Sequence, residues 1–232
     1  MKRICFIAGL LCASTQAESW RYTGEWRLME AGRVELAWSG DSAAMRIYTT
    51  GFVASLYRVD DRYRVTHDRN FCAIASEMTA HEGKKRRETK VSYRARPGKA
   101  DYIERDLVAG AVVRQSEVDV PSCVHDVIGG LAKLRTLRLV PGSETALPVS
   151  DGRKSADVRI RVDKRETVKT PAGVFSCIRH EVFLLNGVIY RRKGRLFVWL
   201  TDDDRRVPVQ IRVQMPFYLG TVTLQLTKEQ GG

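Results

Sequence analysis

A regular alternation of apolar and polar residues dominates this sequence. It is clearest where Val158, Ile160 and Val162 are separated by Arg159 and Arg161. Adjacent side chains of a β-strand point to opposite faces, so this pattern buries one face of a strand and exposes the other. Similar alternation begins near residues 20, 34, 57, 207 and 222. The sequence therefore predicts an all-β or β-dominated domain of short antiparallel strands.

Turn signals separate the alternating segments. Asn186-Gly187 is a strong hairpin signal, and Thr170-Pro171-Ala172-Gly173 places proline and glycine for a tight turn. We also expect turns at Ala31-Gly32 and Asp60-Asp61. Strands joined in this way form a curved antiparallel sheet, which can be a half-open barrel or a closed one. The sequence leaves these alternatives open.

One segment, from residue 124 to about 138, has helical spacing instead. Its apolar residues recur at intervals that place them on one helix face, namely Val127, Ile128, Leu131, Leu134 and Leu137. Ser122 is available as an N-cap, and Pro141-Gly142 provides a stop signal. We therefore expect one helix packed on the curved sheet.

The N-terminus has the three parts of a secretory signal peptide. Lys2 and Arg3 form a basic start, residues 4–13 are apolar, and Thr15-Gln16-Ala17 presents a small-x-small cleavage site. The apolar run is too short to cross a bilayer, which takes about 20 residues. We expect cleavage after Ala17, leaving residues 18–232 as a single periplasmic or secreted β-rich domain without a transmembrane segment.

Three cysteines follow the expected cleavage site, and an odd number leaves one unpaired. An oxidising compartment allows a pair to persist as a disulfide. Cys72 and Cys123 lie beside turn or cap residues, whereas Cys177 lies inside an apolar strand pattern. We therefore predict a Cys72–Cys123 disulfide and a buried free thiol at Cys177.

The chain is strongly basic, with a formal net charge of +12. For an exported protein the available polyanions are anionic lipids and envelope polymers rather than nucleic acid. A solvated basic surface without a partner remains an equal alternative. The cluster that we single out as a ligand site has aromatic residues close by in the sequence and consists of Arg191, Arg192, Lys193 and Arg195. A second cluster, Lys84-Lys85-Arg86-Arg87, lies at an expected hairpin tip, where charge also discourages strand pairing between molecules.

Several motifs in the second half of the chain occur in a characteristic order. They are Pro121-Ser122-Cys123-Val124-His125-Asp126, then Leu131 to Arg135, Thr170 to Phe175, Lys193 to Leu200, Arg206 to Val209 and Leu219 to Val222. This ordered set resembles the exported bacterial family catalogued as domain of unknown function 3108. The resemblance implies a secreted or periplasmic β-rich domain. It supplies no catalytic residue, because the family has no established activity.

Each of the four histidines is followed by an acid, in the pairs His67-Asp68, His81-Glu82, His125-Asp126 and His180-Glu181. Histidine and carboxylate can bind zinc or transfer protons. Neighbouring residues of a strand point to opposite faces, so one pair cannot converge on one ion. We also find no serine-hydrolase elbow and no phosphate-binding glycine loop. We therefore predict no catalytic residue, no metal ligand and no cofactor.

These observations support three functional hypotheses. The leading one is a non-enzymatic exported protein that binds a lipid-like or anionic envelope ligand. The second is a structural or interaction protein in envelope assembly, and the third is a metal-dependent hydrolase built from the histidine–acid pairs. An apolar pocket of a few hundred Å³ would favour the first hypothesis, and a filled interior would favour the second. The sequence predicts no oligomeric state.

The signal peptide leads to a direct prediction. When the full chain is expressed in a bacterium and recovered after export, its N-terminal residue should be Glu18, because Ala17 completes the cleavage site. Intact-mass measurement of the exported protein checks this. A mass that retains residues 1–17 would contradict the prediction, and so would a lipid attached to Cys12.

Overall fold

Fourteen strands form one antiparallel sheet in the computed structural model, which describes residues 17–184, 194–216 and 220–230. The strands before the main helix are β1 (Glu18–Trp26), β2 (Met29–Ser39), β3 (Ser42–Thr49), β4 (Asp60–His67), β5 (Ala73–Glu82), β6 (Lys85–Arg94), β7 (Lys99–Asp106) and β8 (Ala111–Asp119). Those after it are β9 (Glu144–Ser150), β10 (Ser155–Thr170), β11 (Gly173–Val182), β12 (Arg195–Thr201), β13 (Pro208–Gln214) and β14 (Thr221–Gln230). The helices are α1 (Gly51–Leu56) and α2 (Val127–Thr136).

The sheet is an up-and-down meander with two free edges. Its order runs from β8 back to β1, continues through β14, and then runs back to β9. The antiparallel pairing of β1 with β14 joins the two ends of the chain. Strands β8 and β9, which α2 separates along the chain, are the two edges and do not pair among the described residues. The predicted curved antiparallel sheet is thus confirmed, and closure into a complete barrel is excluded.

Helix α2 packs against the concave face of the sheet. Its buried residues include Ile128 and Ala132, which belong to the same hydrophobic cluster as Trp20 and Leu36 of the first two strands. A second cluster joins Leu134 to the inner faces of β9 to β12. The helix thereby contacts both halves of the meander. This packing makes the sheet curl around it.

The helix is shorter than the sequence suggested, because Asp126 and not Ser122 is its N-cap. The Asp126 carboxylate accepts hydrogen bonds from the Ile128 and Gly129 amides, each at 2.9 Å. The backbone also comes very close at Gly129, where a Cβ would lie 2.9 Å from the Phe71 carbonyl oxygen. Gly129 therefore lowers the intrinsic stability of the helix, but it allows the helix to lie close to the segment before β5.

Two of the predicted turns are wrong. The turn after β1 lies at Arg27 and Leu28, and Gly32 lies within β2, where a Cβ would be 2.5 Å from the Tyr48 carbonyl oxygen of the neighbouring strand. Asp60 begins β4 and forms a two-pronged ion pair with Arg46 of β3, at 2.8 and 2.9 Å. Gly32 and Asp60 therefore contribute to contacts between neighbouring strands and do not form turns. The sequence also missed α1, and the Asn186-Gly187 signal lies outside the described residues.

The cysteine assignments are confirmed. Cys72 and Cys123 form a disulfide with a Cα–Cα distance of 4.9 Å, which ties the connection before β5 to the segment that leads into α2. Cys177 is free and buried in β11. Burial raises the pKa of its thiol to about 12, so the thiol is a packing group rather than a nucleophile.

The disulfide and the free thiol should respond differently to substitution. Cys72→Ser should lower the free energy of unfolding by roughly 3–4 kcal/mol, because the unfolded chain regains a long open loop. Cys177→Ser should lower it by about 1–3 kcal/mol, because it places a hydroxyl in an apolar site. Urea denaturation measures both changes. Thiol titration of the denatured, unreduced protein should count one thiol after the signal peptide is removed, and three thiols would contradict the assignment.

Candidate ligand-binding pocket

A cavity of about 350 Å³ lies between the concave face of the sheet and the start of α2. Strands β3 to β7 form its floor, and α2 with the turn after β9 forms its opposite wall. The lining is mostly apolar and aromatic, with Met45, Tyr63, Met78, Tyr93, Tyr102 and Ile128 as its larger members. The interior of the curled sheet is therefore only partly filled.

Strand register places these side chains on one face. Met45 pairs with Tyr63, Tyr63 with Met78, and Met78 with Thr89 across four neighbouring strands. Directly paired residues of an antiparallel sheet point to the same face. Met45 also pairs with Leu36, which is 3% exposed and belongs to the core beside α2. The row consequently continues the core into the gap that faces the first turn of α2.

A buried polar group lies behind the deep end of the pocket. The Tyr63 hydroxyl donates a hydrogen bond of 2.9 Å to the Asp126 carboxylate, which is 1% exposed. Burial raises the pKa of Asp126 above the usual range of a carboxyl group, although the two amide donors and Tyr63 oppose this shift. Burial also raises the pKa values of Tyr63 and Tyr93. Both phenols therefore remain neutral hydrogen-bonding groups at physiological pH.

Charged side chains surround the mouth of the pocket. Arg153 pairs with Asp151 at 2.7 Å, and its guanidinium lies 5.7 Å from the Tyr102 ring centre. The Tyr102 hydroxyl donates to Glu104 at 3.0 Å, and Arg87 lies 3.6 Å from the same glutamate. An apolar slot with a charged mouth suits a small amphipathic molecule with its polar head outside.

The interior stays open beyond this pocket towards the end of the sheet that carries α1. Ile47 pairs with the buried Val34 and with Asp61, so it faces the interior. It is nevertheless 39% exposed. A ligand could thus enter the pocket from this end.

A larger depression of about 970 Å³ crosses the opposite, solvent-facing side of β2 to β8. Its floor carries small side chains such as Ala44 and Ser92, and Lys90 in it pairs with Glu77 at 3.2 Å. It is broad, and the side chains above its floor are exposed. A ligand there would stay largely in water, so we regard the smaller inner pocket as the better candidate site.

The predicted basic cluster can be placed only at Arg195, because Arg191, Arg192 and Lys193 lie outside the described residues. Arg195 pairs with Glu181 at 2.7 Å, and its guanidinium lies 4.7 Å from the Phe197 ring centre. This hydrogen bond holds the pKa of Glu181 below its usual range. Anion binding by this cluster stays a prediction.

Aromatic residues do lie beside Arg195, as the sequence suggested, and Phe197 and Trp199 are buried in the same hydrophobic cluster as Ile128 and Ala132 of α2. Phe197 pairs with Arg212, and Trp199 donates to Glu166 at 2.7 Å. Val198, between them, belongs to the cluster that contains Leu134 of α2. Neither Arg195 nor these two aromatic residues line the pocket.

Two of the four histidines lie beside the same residue: the His67 ring centre is 5.2 Å from that of Phe71, and His125 Nδ1 lies 2.6 Å from the Phe71 carbonyl oxygen. His67, His125 and His180 are each at most 3% exposed. Burial lowers the pKa of His180 to about 4, so this histidine is neutral at physiological pH. Within residues 17–184, 194–216 and 220–230, no three histidine, cysteine or acidic side chains are grouped to hold a metal ion.

The pocket itself was missed by the sequence analysis. Tyr63 was recognised as a strand residue, but Met45, Met78 and Thr89 were not singled out. A possible signal is the placement of methionine at inward positions of alternating strands, since methionine fills irregular space in protein interiors. That signal depends on knowing the register, which the sequence alone did not provide.

The chain belongs to the family described as protein of unknown function (DUF3108), whose model matches residues 21–227. The resemblance seen in the ordered motifs is thereby confirmed. No curated protein matches the chain.

Three solved structures align with the chain, and the first of these supports the fold. A β-barrel-like protein of domain of unknown function DUF1849 from Brucella abortus aligns with a TM-score of 0.61 at 9% identity, over 93% of this chain and 98% of that one. A candidate lipoprotein from Parabacteroides distasonis aligns with a TM-score of 0.35 at 9% identity, over 94% of this chain and 96% of that one. A candidate exported protein with a YmcC-like fold from Bacteroides fragilis aligns with a TM-score of 0.30 at 12% identity, over 93% of this chain and 94% of that one. In the described part of the present chain, no helix has the length and apolar character needed to cross a membrane.

Asp126 should make stability depend on pH in a specific direction. A carboxyl group whose pKa rises on folding stabilises the folded state below its unfolded pKa of about 3.9, and that contribution is lost as pH rises through the folded value. Asp126→Asn keeps an N-cap acceptor without a charge. The free energy of unfolding of the variant should therefore rise relative to that of the wild type as the pH increases from 4 to 8. Urea denaturation across this range measures both free energies of unfolding. A difference between variant and wild type that stays constant, or that falls as the pH rises, would contradict the prediction.

Proposed function

We propose that this protein is a non-enzymatic, exported binding protein that holds a small lipid-like molecule in the pocket beneath α2. The observation that carries the proposal is the cavity of about 350 Å³ with its apolar and aromatic lining. This volume lies near the lower end of the range for small-molecule pockets, about 300–1,000 Å³. It suits a single acyl chain or a molecule of similar size better than a whole two-chain phospholipid.

The chemistry of the lining supports an amphipathic ligand. Met45 and Met78 offer flexible apolar surface to a hydrocarbon chain. The arginine and acidic side chains at the mouth can exchange their mutual ion pairs for contacts with a polar head group. The half-buried Arg153 is the most favourable partner for a phosphate or carboxylate, because a guanidinium binds either with two parallel hydrogen bonds.

An envelope location fits the same proposal. The N-terminal sequence has the parts of a signal peptide, and the Cys72–Cys123 disulfide suits an oxidising compartment. The periplasm of a bacterium contains lipids and lipid precursors that cannot cross water unaided. A cationic binding protein with an apolar pocket would hold such molecules there.

A second candidate function, interaction with an envelope protein, is favoured by the edge strand β8. Val112 and Val113 of this strand are 52% and 49% exposed, and the strand has a hydrogen-bonded neighbour only on the β7 side among the described residues. An exposed strand edge can accept another strand. This function would not require an occupied pocket, so the two candidates are separable by experiment.

Filling the pocket should abolish ligand binding. Met45→Trp and Met78→Trp each add bulk inside the pocket, whereas Ala44→Trp adds it at the adjacent position of β3, on the solvent-facing side. Native mass spectrometry of the exported proteins and titration with dodecanoate measure binding. We expect a loss of at least tenfold in affinity for the pocket variants and an unchanged affinity for Ala44→Trp.

Thermal melting shows whether each variant is folded. The absence of a bound molecule in the wild type, together with no binding of dodecanoate or lysophosphatidylglycerol, would overturn the proposal. Loss of binding in Ala44→Trp alone would move the site to the outer depression.

A further inference from the structure

Exposed apolar side chains gather at one end of the sheet. They lie on the turn after β1, on α1, just after α1 and on the turn between β7 and β8, and we call them the apolar rim: Leu28, Met29, Phe52, Leu56, Tyr57, Leu107 and Val108. Alternate connections of an antiparallel meander lie at the same end of the sheet, which explains why these elements are neighbours. Leu28 is 97% exposed and Val108 is 73% exposed.

Backbone hydrogen bonds join these connections into one continuous edge. The Thr50 amide before α1 donates to the Ala31 carbonyl of β2 at 3.2 Å. On the other side of α1, the Gly83 amide donates to the Arg58 carbonyl at 2.7 Å. The Leu107 amide then donates to the Arg86 carbonyl at 2.9 Å. The rim is therefore held by the fold and is not a set of independent loops.

Helix α1 has an orientation that core packing does not explain. A surface helix of a globular protein normally turns its apolar face towards the core. None of the six residues of α1 is buried, and Phe52 and Leu56 are 65% and 67% exposed. Together with Leu28, they present apolar surface to the outside, which is typical of an interaction site.

Basic residues accompany the apolar rim. Arg58, Lys84 and Lys85 are exposed on the connections between the rim residues. None of the three forms an ion pair with another described side chain. Of the acids nearby, Glu30 is paired with Arg33 at 3.3 Å, and Glu82, which lies opposite Lys85 in the β5–β6 hairpin, offsets at most one of the three positive charges. The second basic cluster of the sequence thus belongs to this end of the molecule.

We propose that the apolar rim and its three basic residues dock the protein on a bilayer that contains anionic phospholipid. Apolar side chains that enter the headgroup region, with Lys and Arg beside them, are the combination that binds membrane interfaces. The apolar residues lie on separate projecting connections and do not form a groove, which fits a fluid lipid surface better than a folded partner. The positive charge complements an anionic leaflet.

Docking in this way would turn the open end of the interior towards the membrane, since Ile47 marks the opening at the same end of the sheet. The proposal goes beyond ligand binding, and the rim can bind a bilayer whether or not the pocket is occupied. Variants of the rim and of the pocket therefore test the two proposals separately.

Co-sedimentation with vesicles tests the docking surface. The exported, processed protein is mixed with vesicles of phosphatidylglycerol and phosphatidylethanolamine, or with vesicles of phosphatidylcholine alone. We expect binding to the anionic vesicles that weakens with added salt. Phe52→Ser combined with Leu56→Ser, and Lys84→Gln combined with Lys85→Gln, should each weaken this binding by about tenfold or more.

Matched controls come from the opposite end of the sheet. Val174 is 65% exposed there, and Lys169 and Lys228 are exposed basic residues near the same end. Val174→Ser, and Lys169→Gln combined with Lys228→Gln, should bind the anionic vesicles as the wild type does. Met45→Trp should also retain vesicle binding, which keeps a failure of the pocket distinct from a failure of the rim.

Three results would overturn the proposal. The first is equal binding to both vesicle types, and the second is an equal loss in rim and control variants. The third is a dimer in light scattering that the Phe52 and Leu56 substitutions convert to a monomer, because the rim would then be an interface between two copies. Melting temperatures close to that of the wild type show that the variants remain folded.

Discussion

The packing of α2 into the concave face of the sheet is the contact on which the rest of the structure depends. Arg135 of this helix lies 4.4 Å from the ring centre of Trp20 and 5.6 Å from that of Trp38, and it pairs with Glu18 at 2.8 Å. At the other end of the helix, Asp126 joins the N-cap to Tyr63 of the sheet. The helix therefore holds the first two strands and the middle of the meander in one arrangement, as a direct seam between β8 and β9 would do in a closed barrel.

A helix fills such an interior differently from a closed ring of strands. Helix α2 packs beside β1 and β2 through Ile128 and Ala132, and its first turn leaves a gap opposite β3 to β7. The pocket is this gap. Glu104 and Arg87, which lie 3.6 Å apart at its edge, keep part of their side chains in contact with water.

Much of the fold could be predicted from the sequence, since alternation in segments such as Val158 to Val162 depends only on which face is buried. The disulfide could be predicted from its turn-flanked positions. The errors arose where a residue serves a neighbouring strand: Gly32 allows Tyr48 to approach, and Asp60 binds Arg46. The pocket could not be predicted for the same reason. Its wall is a row across four strands, and the register that forms such a row is a property of the folded sheet.

The basic composition likewise shows that a sequence does not reveal which side chains meet in the folded sheet. A net charge of +12 indicated an anionic partner without indicating where such a partner would bind. In the folded protein many arginines form ion pairs within the chain, as Arg195 does with Glu181 and Arg179 does with Asp163. An anion can bind such an arginine only when it displaces the carboxylate, as a head group would have to displace Asp151 from Arg153. Lysines such as Lys84 and Lys85, which the sheet leaves unpaired among the described residues, are a better guide to a partner than the total charge.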